Sequence, residues 1–149
     1  MWLSPETFRT VLAATPLVSI DLLVRDGQRR LLLGRRHHAP AQGYWFVPGG
    51  RIRKGETLDA AFQRLTEAEL GRACERSQSR MIGVFEHHYP DCVFDGSVST
   101  HYIVLAHELT LDAPLPELPQ AQHAAYAWWR PAEAAASDAV HPYTRQYCQ

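Results

Sequence analysis

A chain of 149 residues, 46% apolar and 21% charged, fits one globular domain and carries too much core-forming material for a disordered one. Fifteen Lys plus Arg against 16 Asp plus Glu leave a formal charge of −1, so overall charge points to neither nucleic acid nor an anionic membrane. The three cysteines, Cys74, Cys92 and Cys148, are odd in number, widely spaced and form no CxxC pair, so they suggest neither a zinc ribbon nor a disulfide framework and fit reduced thiols in the cytoplasm.

Met1 to Glu6 lack a basic region followed by an apolar run, so no secretion signal is expected, and nowhere does the chain reach the ~18 apolar residues of a membrane span. Ser4-Pro5-Glu6 reads as a helix start: Ser4 can cap, Pro5 suits the first helical position, and Glu6 meets the positive end of the dipole. That helix is predicted to run to about Ala13 and to stop before Thr15-Pro16. Two strands follow, Leu17 to Arg25 and Arg29 to Arg35, joined by a turn holding Asp26-Gly27. A third, Gly43 to Val47, is ended by a Pro48-Gly49-Gly50 turn. A helix from Thr57 to Leu70 closes on Gly71. Met81 to Tyr89 and Thr100 to Leu111 read as strands, and a Pro-rich loop from Pro114 to Gln122 leads to another at Tyr126 to Trp129. Short helices are expected from Pro131 and over Pro142 to Cys148. Strands interleaved with helices predict an α/β fold, a mixed sheet covered by helices, in one domain over residues 1–149.

The segment from Gly49 to Arg72 is the most informative. At ~100° per residue, with Glu56 at zero, Ala61 falls at ~140°, Leu65 at ~180°, Leu58 at ~200° and Phe62 at ~240°, one apolar face. Glu69 falls at ~220°, inside that face, whereas Glu67 at ~20° points to solvent. A carboxylate there either needs a cation or donors to offset desolvation, or reaches water from a fraying last turn.

Gly50-x5-Glu56-x7-Arg64-x4-Glu69-x-Gly71 resembles the Nudix box, about residues 50–71, with Leu65 and Ala68 where the usual box has glutamates and Arg72 where it has an aliphatic residue. The wider chain resembles the GDP-mannose mannosyl hydrolases, a Nudix branch that lacks the same carboxylates. The strings that carry this are Ser4 to Phe8, Thr15-Pro16-Leu17-Val18-Ser19, the run Pro40 to Gly50, Thr100-His101-Tyr102, Gln122-His123 and Tyr126-x-Trp128. The resemblance implies a Nudix-like α/β/α sandwich acting on a GDP-sugar, as a homodimer.

A helix face with one carboxylate suits a single hard divalent ion, Mg²⁺ or Mn²⁺. The resemblance implies that Gly49 gives its carbonyl, Glu69 its carboxylate and Gln122 its amide oxygen, with one ion per subunit; by pattern Gln122 is an ordinary loop residue. Of eight histidines, His123 adjoins Gln122, and the resemblance makes it the general base. Arg35-Arg36 and Arg51-Ile52-Arg53 flank the Gly-Gly turn; they read as solvated charges or as phosphate forks, and the resemblance assigns Arg36 and Arg51 to the diphosphate. Asp21 interrupts a strand on its less apolar side, facing water or a ligand, and the resemblance sets it near the sugar with His87 and Tyr102. Trp2, Leu3 and Phe8 form a local apolar cluster that by pattern packs a helix on the core; in the resembling enzymes this region helps to hold the guanine.

The expected activity is Mg²⁺-dependent hydrolysis of GDP-mannose, or GDP-glucose, to GDP and free sugar, by inverting attack of water at the anomeric carbon. The alternatives are a pyrophosphohydrolase attacking phosphorus and a nucleotide-sugar-binding module without catalysis.

Overall fold

The computed structural model describes residues 2–111 and 123–148, of residues 123 and 124 the backbone alone. The expected Pro-rich loop from Pro114 to Gln122 lies outside the described residues. None of the described helices is long and apolar enough to cross a membrane.

Helix α1, Pro5–Ala14, starts with Ser4 Oγ accepting the Thr7 N–H. Strand β1, Leu17–Arg25, turns into β2, Leu31–Arg36. The turn is longer than expected because the Asp26 carboxylate accepts the N–H groups of Gln28 and Arg30 and so wraps both into it, with Arg29 left-handed at φ 65°. Strand β3 shrinks to Trp45–Phe46, since Gly43, at φ 83°, belongs to a turn that donates its N–H to the Arg36 carbonyl.

The expected Gly-Gly turn is instead a strand. Gly49–Arg51, β4, pairs antiparallel with β1, setting Asp21 against Gly49, Ile20 against Gly50 and Ser19 against Arg51. A Cβ on Gly49 would collide with the Ile20 carbonyl, and one on Gly50 would come 2.6 Å from Leu65 Cδ2. These glycines therefore serve close backbone approach rather than a turn.

Helix α2, Leu58–Leu70, is capped by Thr57 and ended by Gly71 at φ 73°. Strands β5, Ser79–Tyr89, and β6, Thr100–Thr110, follow, then β7, His123–Trp129, which begins three residues earlier than expected because Ala125 and His123 pair with Arg35 and Arg36. Helices α3, Pro131–Ala136, and α4, Pro142–Gln146, end the chain.

The sheet runs β3-β2-β1-β6-β5, with β4 on β1 and β7 on β2. It is mixed: β1 and β6 are parallel over nine residue pairs, and the other pairings are antiparallel. Beyond their turn, β1 and β2 pair at Arg25 and Leu31 alone. The two strands therefore part, β4 flanking the start of β1 and β3 the end of β2, and the site lies where they part.

One core layer packs Phe62, Leu65 and Leu70 of α2 on Ile20, Leu22 and Val24. On the other face Ala134, Val140 and Tyr147 cover Leu23, Leu31 and Leu33. β1 is thus buried on both faces, as a central strand of an α/β/α sandwich must be. Leu58, expected in the α2 stripe, is 36% exposed at the first helical position, while Thr66 is buried and accepts the Cys74 N–H at 2.9 Å, so the stripe is rotated toward the chain that follows the helix.

Candidate active site

Two connected cavities open between the parted strands. An inner chamber of about 60 Å³ is walled by Asp21, His87, Tyr89 and Phe46. An outer cleft of about 470 Å³ is walled by Trp2, Phe8, Arg51, Arg53, Arg64 and Glu69. They share Arg36, Pro40, Gly49, Gly50 and Tyr102.

Asp21 is buried, not facing water, because α4 and its following residue close over that side of β1. Its Oδ2 accepts a 2.7 Å hydrogen bond from the Tyr147 hydroxyl. Burial pushes its carboxyl up to about 7, partly offset by that bond and by the Arg36 charge. His87, 2% exposed, stacks on Tyr143 with ring centroids 4.1 Å apart, and its Nε2 has no hydrogen-bond partner among the described residues. Burial, aided by His141 and His88, lowers its pKa to about 4, so it is neutral near pH 7.

Glu69 is 5% exposed, which removes the fraying-turn alternative. Burial pushes it up to about 7 against a backbone hydrogen bond from Gly49 and the Arg36 charge. Arg36 thus acts on both buried carboxylates, its Nε donating to the Pro40 carbonyl at 2.9 Å, whereas Arg35 is exposed. Tyr126 on β7, pushed up to about 12 by burial and the Glu69 charge, belongs to the same neighbourhood.

The outer cleft rests on an Arg64–Glu56 fork. Arg64 Nε and Nη2 reach the two Glu56 oxygens at 2.7 and 2.9 Å, and Nη2 also donates to the Arg51 carbonyl at 2.9 Å. That pairing pulls Glu56 down to about 2. The fork ties the 51–57 loop to α2 and so presents Arg51 and Arg53. Arg51 lies 5.1 Å from the Phe8 centroid and Arg53 4.9 Å from that of Trp2. Trp2 is 86% exposed at the cleft, so it does not pack α1 on the core as the local pattern suggested; Phe8 is half-buried against Phe94. Leu3 is half-buried and lies outside the lining of both cavities.

Gln122 lies outside the described residues. His123 is described by its backbone, which pairs with Arg36 at an irregularity in the β2–β7 ladder. No three His, Cys, Asp or Glu residues among the described ones gather as a metal cluster. The donor chemistry nevertheless suits a hard divalent ion: one buried carboxylate, Glu69, beside the side-chain-free backbone of Gly49 and Gly50. The sequence reading missed Tyr143 and Tyr147, because α4 is too short to show a face and nothing local ties it to β1 or β5.

The model of the NUDIX domain matches residues 15–148. The chain is 37% identical over 142 residues to the low-salt glycan biosynthesis protein Agl8 of Haloferax volcanii, covering 95% of this chain and 86% of that one. Among solved structures it resembles a MutT NUDIX hydrolase from Burkholderia pseudomallei, with TM-score 0.70 and 26% identity over 90% of this chain and 96% of the other. It also resembles the NUDIX domain of NrtR from Shewanella oneidensis, solved with ADP ribose, with TM-score 0.68 and 15% identity over 98% and 89% of the two chains. With nine-tenths of its length matched, and with a relative this similar, the chain belongs to the NUDIX domain family.

Proposed function

We propose that this chain hydrolyses GDP-mannose or GDP-glucose to GDP and free sugar, water attacking the anomeric carbon with inversion. The observation that carries the reading is the division of the site. An outer cleft of arginines and aromatic rings suits a nucleoside diphosphate, and a smaller inner chamber holding Asp21 and neutral His87 suits a sugar. Leu65, buried against Gly50, and Ala68 stand where the usual Nudix box has glutamates, so of the cleft-lining positions on α2 only Glu69 offers a carboxylate, which in this reading serves the metal. The name of the Haloferax relative, a glycan biosynthesis protein, supports a sugar nucleotide as substrate.

Arg36 and Arg51 contact the diphosphate and stabilise charge on departing GDP, which needs no proton from an acid. His123, whose backbone lies opposite Arg36, takes the proton of the attacking water. Asp21 stabilises positive charge on the sugar, with His87 and Tyr102 against its hydroxyls. Trp2 and Phe8 hold the base, with Leu3 beside them. Glu69, the Gly49 carbonyl and Gln122 would hold one Mg²⁺ or Mn²⁺ per subunit, which supplies charge neutralisation at the diphosphate. A homodimer is part of the same reading, and sedimentation at micromolar concentration tests it.

Turnover of GDP-mannose with Mg²⁺ in ¹⁸O-labelled water, read by mass spectrometry, decides the reaction. The expected products are unlabelled GDP and labelled mannose. Label on phosphate, with GMP and mannose 1-phosphate, would establish the pyrophosphohydrolase instead. Binding without turnover would establish a binding module.

A further inference from the structure

Asp21 and His87 are each held from behind by one ring of the C-terminal segment. Tyr143 and Tyr147 are four residues apart, so one helical turn sets both rings on one face. The Tyr143 hydroxyl accepts the His88 N–H and donates to the His88 carbonyl, both at 2.9 Å, which pins α4 to the edge of β5. The Tyr143 ring then lies flat on His87, 7° from parallel. Tyr147 is 7% exposed, wedged edge-on against Phe85 at 5.1 Å, and its hydroxyl reaches Asp21 Oδ2.

The other carboxylate oxygen, Oδ1, lies beside Gly49, where even a Cβ would come 3.1 Å from it. Among the described residues the side-chain hydrogen bond to this carboxylate comes from Tyr147, while Arg36 acts on it by charge. We infer that Tyr147 is a positioning residue of the site: by tying Oδ2 it leaves Oδ1 aimed past Gly49 into the inner chamber, while Tyr143 sets the plane of the His87 ring. The C-terminal segment is then the back wall of the sugar chamber. The inference rests on the reading that Asp21 faces a sugar, and it adds residues that touch no substrate themselves.

A double-mutant cycle tests it. Tyr147→Phe removes one oxygen. It is expected to lower kcat on GDP-mannose about tenfold, the cost of a hydrogen bond to a charged group. The Kd of GDP, bound in the outer cleft, stays unchanged. In an Asp21→Ala background, where no side-chain oxygen is left to accept the bond, the same change is expected to cost nothing further in residual kcat. Equal losses in both backgrounds, or no loss in either, would overturn the inference. Phe85→Leu, which loosens the ring without touching the hydroxyl, is expected to lower Tm and leave the kcat ratio of the cycle intact. Where Tyr147→Phe does not fold, a difluorotyrosine at 147 keeps the shape and alters only the bond, and an unchanged kcat would count against the inference. Should the wild type not hydrolyse sugar nucleotides, the functional reading fails by itself. Ligand-free crystal structures then decide the positioning: the Asp21 rotamer is expected to change in Tyr147→Phe, and a retained rotamer overturns it.

Discussion

Asp21 and Glu69 are both buried carboxylates, and Arg36 is the cation that acts on each. They were legible to different degrees. Glu69 stood out because its wheel angle put it inside an apolar stripe, and the structure buries it as that angle requires. Asp21 stood on the less apolar side of its strand, where nothing local distinguishes a wet face from a face covered by the C-terminal helix. Arg36 and Arg35 are equivalent in the sequence, and the alternation of β2 turns one into the site and leaves the other exposed. Two predictions belong here. His123→Ala is expected to lower kcat ~10²–10⁴-fold, the range for a lost acid–base group, while isothermal titration still detects GDP with Mg²⁺. Near-normal turnover removes His123 from the chemistry. Glu69→Gln is expected to raise the Mg²⁺ concentration giving half-maximal activity at least ~10-fold, because a neutral amide replaces the carboxylate assigned to the ion. An unchanged Mg²⁺ titration would leave Glu69 with a structural role.

The long elements were readable from caps and periodicity, because these are local. Ser4 and Gly71 act where the sequence set them, as an N-cap and a left-handed C-cap, while Thr57, which reads as the first helical residue, caps its helix instead. Of the short ones, β3 reads too long from the sequence and β4 reads as a turn, because their extent is set by partners on β2 and β1. The loop between β4 and α2 has its own device in the Glu56–Arg64 fork. Glu56 is ionised down to about 2 in the fold, against about 4.5 as its ordinary value. Its contribution to stability is therefore complete above pH ~4.5 and is lost as pH falls toward 2. Thermal melts across pH 2–6 are expected to show a steep fall on the acid side, and Glu56→Gln to flatten it while lowering Tm near pH 7. Parallel curves for the two proteins would place the acid sensitivity elsewhere. His87 works in the same direction over a different window: held neutral in the fold to about 4, it lowers stability as pH drops from ~6.5, because the unfolded chain takes up a proton there first.

At the scale of the molecule, the site exists because β1 and β2 part beyond their turn and β4 slides in beside β1. Gly49 permits that approach. Gly49→Ala would set its Cβ against the Ile20 carbonyl, a backbone atom that cannot swing away. It is expected to lower Tm by several degrees and to cut kcat more than ~10-fold, since Asp21 and the Gly49 carbonyl shift together. Wild-type melting and turnover would show that the strands separate without loss. By itself the sequence determined the α/β class, the long helices and strands, the caps, the buried stripe carrying Glu69 and the resemblance that named the family. All of these are carried by near neighbours in the chain or by strings of residues, and so they survive without coordinates. Only the tertiary structure decided that Gly49–Arg51 is a strand, that Asp21 is buried, that Trp2 stands at an open cleft, and that Tyr143 and Tyr147 back His87 and Asp21. Each depends on a contact between segments distant in the chain, 126 residues apart for Tyr147 and Asp21, and no local pattern of side chains encodes it.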